Sequence, residues 1–160
     1  MCIRDRARAS KAVRGPLNSE PSTREYEPMS SSASYRRPLE GIRVVELGQL
    51  IAGPYTGSIL AYFGAEVIKV EAPGKGDAIR GWRLLDEDGT SYWWHSVGRN
   101  KKSVTINLRE AQGRELVRQL MTKADVVIEN FRPGTMEKWG LGPEDLAKTC
   151  PELIYARISG

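Results

Sequence analysis

The sequence has little of what metal centres and disulfide frameworks are made from: two cysteines and one histidine in 160 residues. Cys2 and Cys150 stand at opposite ends in unrelated contexts, which excludes a disulfide framework and a CxxC metal spacing and fits a reducing, cytosol-like compartment. A single His95 excludes a zinc site built on several histidines, and any Ser-His-Asp arrangement would have to use it. No GxSxG elbow accompanies it, so His95, following Trp93-Trp94, reads as a partly buried member of an aromatic cluster. Long apolar runs are missing too. Stretches such as Val126–Ile128 fall far short of the roughly 20 residues that cross a bilayer, so no membrane-spanning helix is expected.

The net charge of +4 is absent from most of the chain. Residues 1–37 hold eight Lys/Arg against four Asp/Glu, and residues 38–160 hold sixteen against sixteen. A neutral body has no global field to steer it onto a phosphate backbone, which argues against nucleic acid as a partner. Residues 1–37, rich in Ser, Arg, Pro and Glu and without apolar periodicity, read as a disordered leader. Met29 is a plausible start, with 1–28 an extension; the rival reading is an Arg/Ser-rich transit peptide, which would make the location mitochondrial rather than cytoplasmic.

From Pro38 onward, short β-branched runs alternate with amphipathic segments, the pattern of parallel strands joined by crossover helices. Strands are expected at Ile42–Leu47, Glu66–Glu71, Ser103–Leu108, Asp125–Glu129 and Leu153–Ile158. Helices are expected at Tyr55–Phe63, entered through Pro54, at Glu110–Thr122 with Leu116, Val117 and Leu120 inward, and at Pro133–Trp139 and Pro143–Thr149. Ala72–Asn100 reads as one long irregular stretch of the kind that carries function. The pattern predicts an α/β fold built on a mainly parallel sheet.

The turn after the first strand, Gly48-Gln49-Leu50-Ile51-Ala52-Gly53-Pro54, lacks the second glycine of GxGxxG, and GxxxxGK[ST] is absent; both argue against an ordinary NAD or nucleoside triphosphate site. Basic groups remain: Arg99 to Lys102 before the third strand, Arg109 closing it, and Arg132 and Lys138 after the fourth. Residues following parallel strands lie at the carboxyl edge, where ligands of such sheets bind, so Arg109, Asn130 and Arg132 are expected to converge. A cationic rim beside Phe131 or Trp139 suits a ligand with phosphates and a flat base; a solvated charged edge explains the same residues equally well.

Several segments together resemble one family. Pro38-Leu39-Glu40-Gly41-Ile42-Arg43-Val44-Val45-Glu46-Leu47, Ala52-Gly53-Pro54, and Phe63-Gly64-Ala65-Glu66-Val67-Ile68-Lys69-Val70-Glu71 with Pro73, Gly76 and Asp77 are similar to the opening of the class III CoA-transferases. The likeness continues through Arg99-Asn100-Lys101-Lys102-Ser103, Asp125 to Gly134, Gly140-Leu141-Gly142 and Ile154 to Gly160. The resemblance implies that 38–160 is the amino-terminal part of a Rossmann-like large, CoA-binding domain, an open, mainly parallel sheet with helices on both faces that stops before the rest of the family fold. It implies coenzyme A or acyl-CoA as substrate, with no permanently bound cofactor, a carboxylic acid as second substrate, and an interlocked ring-like homodimer. It carries CoA contacts onto Ala52, Ile106, Asn107, Leu108, Arg109, Asn130, Phe131, Arg132 and Lys138. At two further contact positions, Ile51 stands where some members have glutamine and Ala72 where some have arginine. The first departure argues against formyl-CoA:oxalate specificity, and the second requires another cation for the CoA phosphates.

The resemblance also implies a nucleophilic aspartate that forms acyl anhydrides and lies beyond the strand ending at Gly160. No residue of 1–160 is therefore a catalytic candidate, no metal is expected, and this stretch alone is expected to be inactive. Any turnover by it would direct attention to Asp77 or Glu71. An α-methylacyl-CoA racemase is the rival within the family, although Lys69-Val70-Glu71-Ala72-Pro73 followed by Gly76-Asp77 and Arg80 leans toward transfer. A non-catalytic CoA- or nucleotide-binding module is the rival outside it.

Overall fold

The computed structural model describes residues 36–159. Nearly all of the expected leader, 1–37, lies outside the described residues. Five strands form one sheet: β1 (Arg43–Glu46), β2 (Glu66–Glu71), β3 (Lys101–Thr105), β4 (Val126–Glu129) and β5 (Ile154–Arg157). Every pairing is parallel and the order is β3-β2-β1-β4-β5, so the strand order reverses beside β1, as in doubly wound sheets. The open α/β sheet is as expected.

Two apolar layers enclose the sheet. Val44, Val67 and Ile128 pack with Ala61 of α1 (Ala52–Tyr62) on one face. Val45, Leu47, Val70 and Val127 pack on the other, against Val117 and Met121 of α3 (Ala111–Met121), Met136 of α4 (Thr135–Lys138) and Leu146 of α5 (Pro143–Ala147). Strand β1 is buried on both faces even at Glu46, which is wholly inaccessible. Among the described residues no helix is long and apolar enough to cross a membrane.

The structure corrects several details. Strand β3 ends at Thr105, so Ile106–Arg109 leave the sheet as a turn, while Lys101 and Lys102 lie inside the strand. A charged start is tolerated because β3 is an edge strand, and Lys101 finds a buried carboxylate. Helix α1 begins three residues early, with Pro54 still in its first turn. On α3, Leu116 is 48% exposed, and the inward stripe is Gly113, Val117 and Met121, spaced by four.

The stretch Ala72–Asn100 is partly regular. Asp77 caps a 3₁₀ turn, Ala78–Gly81, by accepting from Ile79 N, and Ser91 caps α2 (Tyr92–Val97) by accepting from Trp93 N. Those side-chain caps compete with the glycine signals that read as loop. His95 is not partly buried: its ring is 54% exposed, with Nε2 2.5 Å from Asp86 Oδ2 and Tyr92 tilted beside it.

Candidate functional site

A cavity of about 580 Å³ opens at the carboxyl edge of the sheet. It runs from Ile106, Asn107, Leu108 and Arg109 after β3, across Val70, Glu71, Ala72, Pro73 and Lys75 at the end of β2 and Leu47 and Gln49 after β1, to Phe131 and Trp139. Four adjacent strand ends span about 14 Å, the length of an extended ligand rather than a point anion. Leu47 and Val70 are buried in its apolar floor, and Phe131 and Trp139 meet edge to face at 5.4 Å between ring centres. Lys75 and Arg109 are exposed at its rim, and neither is in an ion pair among the described residues. A neighbouring hollow of about 260 Å³, lined by Gly74, Gly76, Arg80, Ser103 and Thr105, shares Glu71, Ala72 and Lys75 with it.

Each wall is fixed by backbone contacts. Arg114 on α3 donates from Nη1 to Leu108 O (3.1 Å) and Arg109 O (2.8 Å), and Asn107 Oδ1 accepts from Arg109 N. Gly113 lets α3 sit on that turn, since a Cβ there would lie 2.0 Å from Asn107 O. The loop after β1 folds back so that Gly48 and Gly53 touch: a Cβ on either would lie 2.5 Å from the other's Cα. The Asn130 amide closes that loop, accepting from Gln49 N at 2.7 Å and donating to Gln49 O at 2.9 Å.

Beneath the loops lies a layer of buried charge. Lys69 Nζ contacts Glu46 Oε1 at 2.9 Å, Asp77 Oδ2 at 2.7 Å and Gly48 O at 2.8 Å. Lys101 Nζ meets Glu46 Oε2 at 2.6 Å and donates to Pro54 O. Glu46 Oε2 and Asp77 Oδ2 meet their ammonium groups without hydrogen-bond alignment, so their compensation is ionic. Burial pushes the Lys101 amine down, against the opposing pull of Glu46. Glu71 accepts from Arg80 Nε and Nη2 at 2.7 Å each, from Ser103 Oγ at 2.6 Å and from Asp77 N at 2.8 Å. Both Glu71 and Asp77 are thus committed to internal partners.

Residues 39–160 match the profile of CoA-transferase family III. The chain belongs to that family. Succinyl-CoA--D-citramalate CoA-transferase of Chloroflexus aurantiacus is 54% identical over 130 residues, covering 81% of this chain and 32% of that protein. Succinyl-CoA:glutarate CoA-transferase of Mus musculus is 42% identical over 130 residues, covering 81% and 30%. A crystal structure of a CAIB/BAIF family protein from Brucella suis aligns with a TM-score of 0.72 at 45% identity, covering 79% of this chain and 34% of that one. The chain spans about a third of the length of the curated relatives it matches.

The contact positions that the resemblance implies do not all reach one place. Ala72, Ile106, Asn107, Leu108, Arg109 and Phe131 line the cavity. Asn130 stands behind it, holding Gln49, while Ile51 and Ala52 open α1 outside it. Arg132 and Lys138 are exposed and do not line it. Arg109 and Arg132 follow β3 and β4, with β2 and β1 between them, so they flank the groove instead of converging. Sequence reasoning missed Lys75, whose signal is a lone cation between Gly74 and Gly76, and missed Gln49, Glu71 and Pro73 on the cavity wall.

Proposed function

We propose that this region binds the nucleotide end of an acyl-CoA within an acyl-CoA:carboxylate CoA-transferase. The observation that carries the reading is the long cavity with an apolar floor, the Phe131–Trp139 pair at one end and the free cations Lys75 and Arg109 on its rim. Aromatic and aliphatic surface suits the base and the pantetheine chain, and Lys75 supplies the cation that Ala72 does not. These residues bind and orient. In the reaction, an aspartate carboxylate outside the matched motifs attacks the thioester carbonyl, the C–S bond breaks, and CoA leaves as thiolate from an acyl-aspartyl anhydride. The thiolate then attacks the aspartyl carbonyl of that anhydride, expelling the donor acid and leaving an aspartyl-CoA thioester. The acceptor carboxylate attacks this thioester, forming a second anhydride and freeing the thiolate, which attacks the acceptor acyl carbonyl to give the new acyl-CoA and regenerate the aspartate carboxylate. The names of the relatives point to succinyl-CoA as donor and a dicarboxylic acid as acceptor. CoA is then a substrate, with no resident cofactor.

The assembly we propose is a homodimer, supported by the exposed α1 stripe of Tyr55, Ile59, Tyr62 and Phe63. The proposed location is the cytoplasm, in keeping with the free thiol of Cys150. Calorimetric titration with CoA and dephospho-CoA tests the site. A charge-assisted contact to phosphate is worth about 1.5–3 kcal/mol, so Arg109→Ala is expected to weaken CoA by about one to two powers of ten. A loss confined to CoA places the guanidinium on the 3′-phosphate, and an equal loss for both ligands places it on the pyrophosphate. Lys138→Ala reads whether the ligand extends past Trp139. Unchanged affinities in folded variants would make both cations a solvated edge.

A further inference from the structure

Four backbone polar atoms of three consecutive residues after β1 are held by side chains from other elements. Lys69 donates to Gly48 O, Asn130 takes both Gln49 N and Gln49 O, and Asp77 Oδ1 accepts from Leu50 N at 2.9 Å. Leu50 has φ +61°, a left-handed conformation costing a branched side chain roughly 1–2 kcal/mol, and its side chain is 41% exposed, so packing does not explain the conformation. Asp77 is 2% exposed; its Oδ2 faces Lys69 while its Oδ1 grips both Leu50 N and Ile79 N. It thereby ties the loop after β1 to the loop after β2, and both loops line the cavity, through Gln49 and through Ala72 to Lys75.

We propose that Asp77 is a positioning residue of this site: anchored by Lys69, it holds Leu50 in its left-handed conformation and so sets Gln49 against the nucleotide end of the ligand. The proposal rests on the CoA reading of the cavity for its ligand, but not for the anchor itself. A merely structural carboxylate would be needed for the fold; a positioning one is needed for the loop.

Hydrogen exchange on the full 160-residue chain reads the Leu50 amide, and calorimetric titration with CoA reads the site. In Asp77→Ala, Leu50 protection falls at least about tenfold and CoA binds about tenfold more weakly, while the amides of Val45 and Val127 stay protected. Asp77→Asn keeps Oδ1 as an acceptor for Leu50 N but loses the charge that Lys69 meets, so both readings fall between those of Asp77→Ala and the unsubstituted chain. Leu50→Pro removes the donor and forbids the left-handed φ without touching the buried charges, and it reproduces the CoA loss even if Asp77→Ala fails to fold. The double variant binds no more weakly than either single one, because both cut the same contact. A Leu50 amide still protected in Asp77→Ala, full CoA affinity in Leu50→Pro, or additive losses would overturn the proposal. An unsubstituted chain that binds no CoA overturns the reading of the cavity, and the exchange rates at Leu50 then still uphold or refute the anchor.

Discussion

Glu71 closes β2 with 5% of its surface exposed, and its carboxyl nonetheless stays ionised into strong acid. Burial alone would push it up, but the Arg80 guanidinium, the Ser103 hydroxyl and Asp77 N–H outweigh burial and hold it down to about 2. Because the folded value lies below that of the unfolded chain, Glu71 contributes stability that is present above about pH 4.5 and lost as pH falls toward 2. Arg80 is partly solvent-facing, so the contribution is at most on the order of 3 kcal/mol. Chemical denaturation of Glu71→Gln should therefore show a stability deficit at pH 7 that shrinks between pH 4.5 and 3. A deficit unchanged over that range would mean that the ion pair is not its source. Removing Lys69 should be costlier. Lys69→Met leaves Asp77 buried without its cation and Glu46 with Lys101 alone, a loss of about 3–5 kcal/mol by the same denaturation measurement. None of these partners could be read from the sequence, where Glu46, Lys69 and Lys101 interrupt apolar strands. What was legible is their period of two: Val44 and Glu46, Val67, Lys69 and Glu71, and Lys101, Ser103 and Thr105 share one face.

Helix α3 sets the cavity wall because it sits directly on the turn after β3. Ala in place of an unconstrained helical glycine gains up to about 1 kcal/mol. At Gly113 the added Cβ would meet the backbone oxygen of Asn107, which cannot swing aside. Gly113→Ala should instead lower stability by about 1–3 kcal/mol and displace the Ile106–Arg109 turn, so thermal denaturation and CoA affinity both decline. An increase in Tm would show that α3 has room to move. The five parallel strands were legible, since β1, β2 and β4 are short Val/Ile-rich runs and β3 and β5 each follow a helical segment or a loop. Less legible were the ends of β3 and the inward face of α3. On this edge strand Lys102 stays in solvent while Lys101 turns inward to the buried Glu46 carboxylate, so polarity did not mark the strand's start; Leu116 is apolar yet outward, because Gly113 and Met121 supply the buried stripe. The caps at Asp77 and Ser91 were hidden among glycines. The cavity's position followed from topology, whereas Lys75 and Gln49 lie on loops whose course only the fold decides.

At the scale of the whole molecule, a groove crossing four strand ends suits a ligand held by its length, and on the proposed reading the chemistry happens at whichever end the thioester projects. On the proposed reading, in a protein of the relatives' length that contains this region, CoA stays in the groove as the aspartyl thioester while the donor acid departs, so the acceptor acid meets an enzyme that already carries CoA. Such an enzyme should show ping-pong kinetics: parallel double-reciprocal lines with succinyl-CoA and a dicarboxylic acid, and new thioesters across a panel of acceptors. Arg109 touches neither acid in this arrangement. Losing a contact made equally in the ground and transition states raises KM without changing kcat, so Arg109→Ala should raise KM for succinyl-CoA by about ten- to a hundredfold at nearly constant kcat. A fall in kcat with unchanged KM would put Arg109 at the reacting carbonyl instead of the nucleotide. Racemisation of a 2-methylacyl-CoA without any transfer would keep the groove and replace the reaction, since proton exchange next to the thioester needs the same grip on CoA and no acceptor at all.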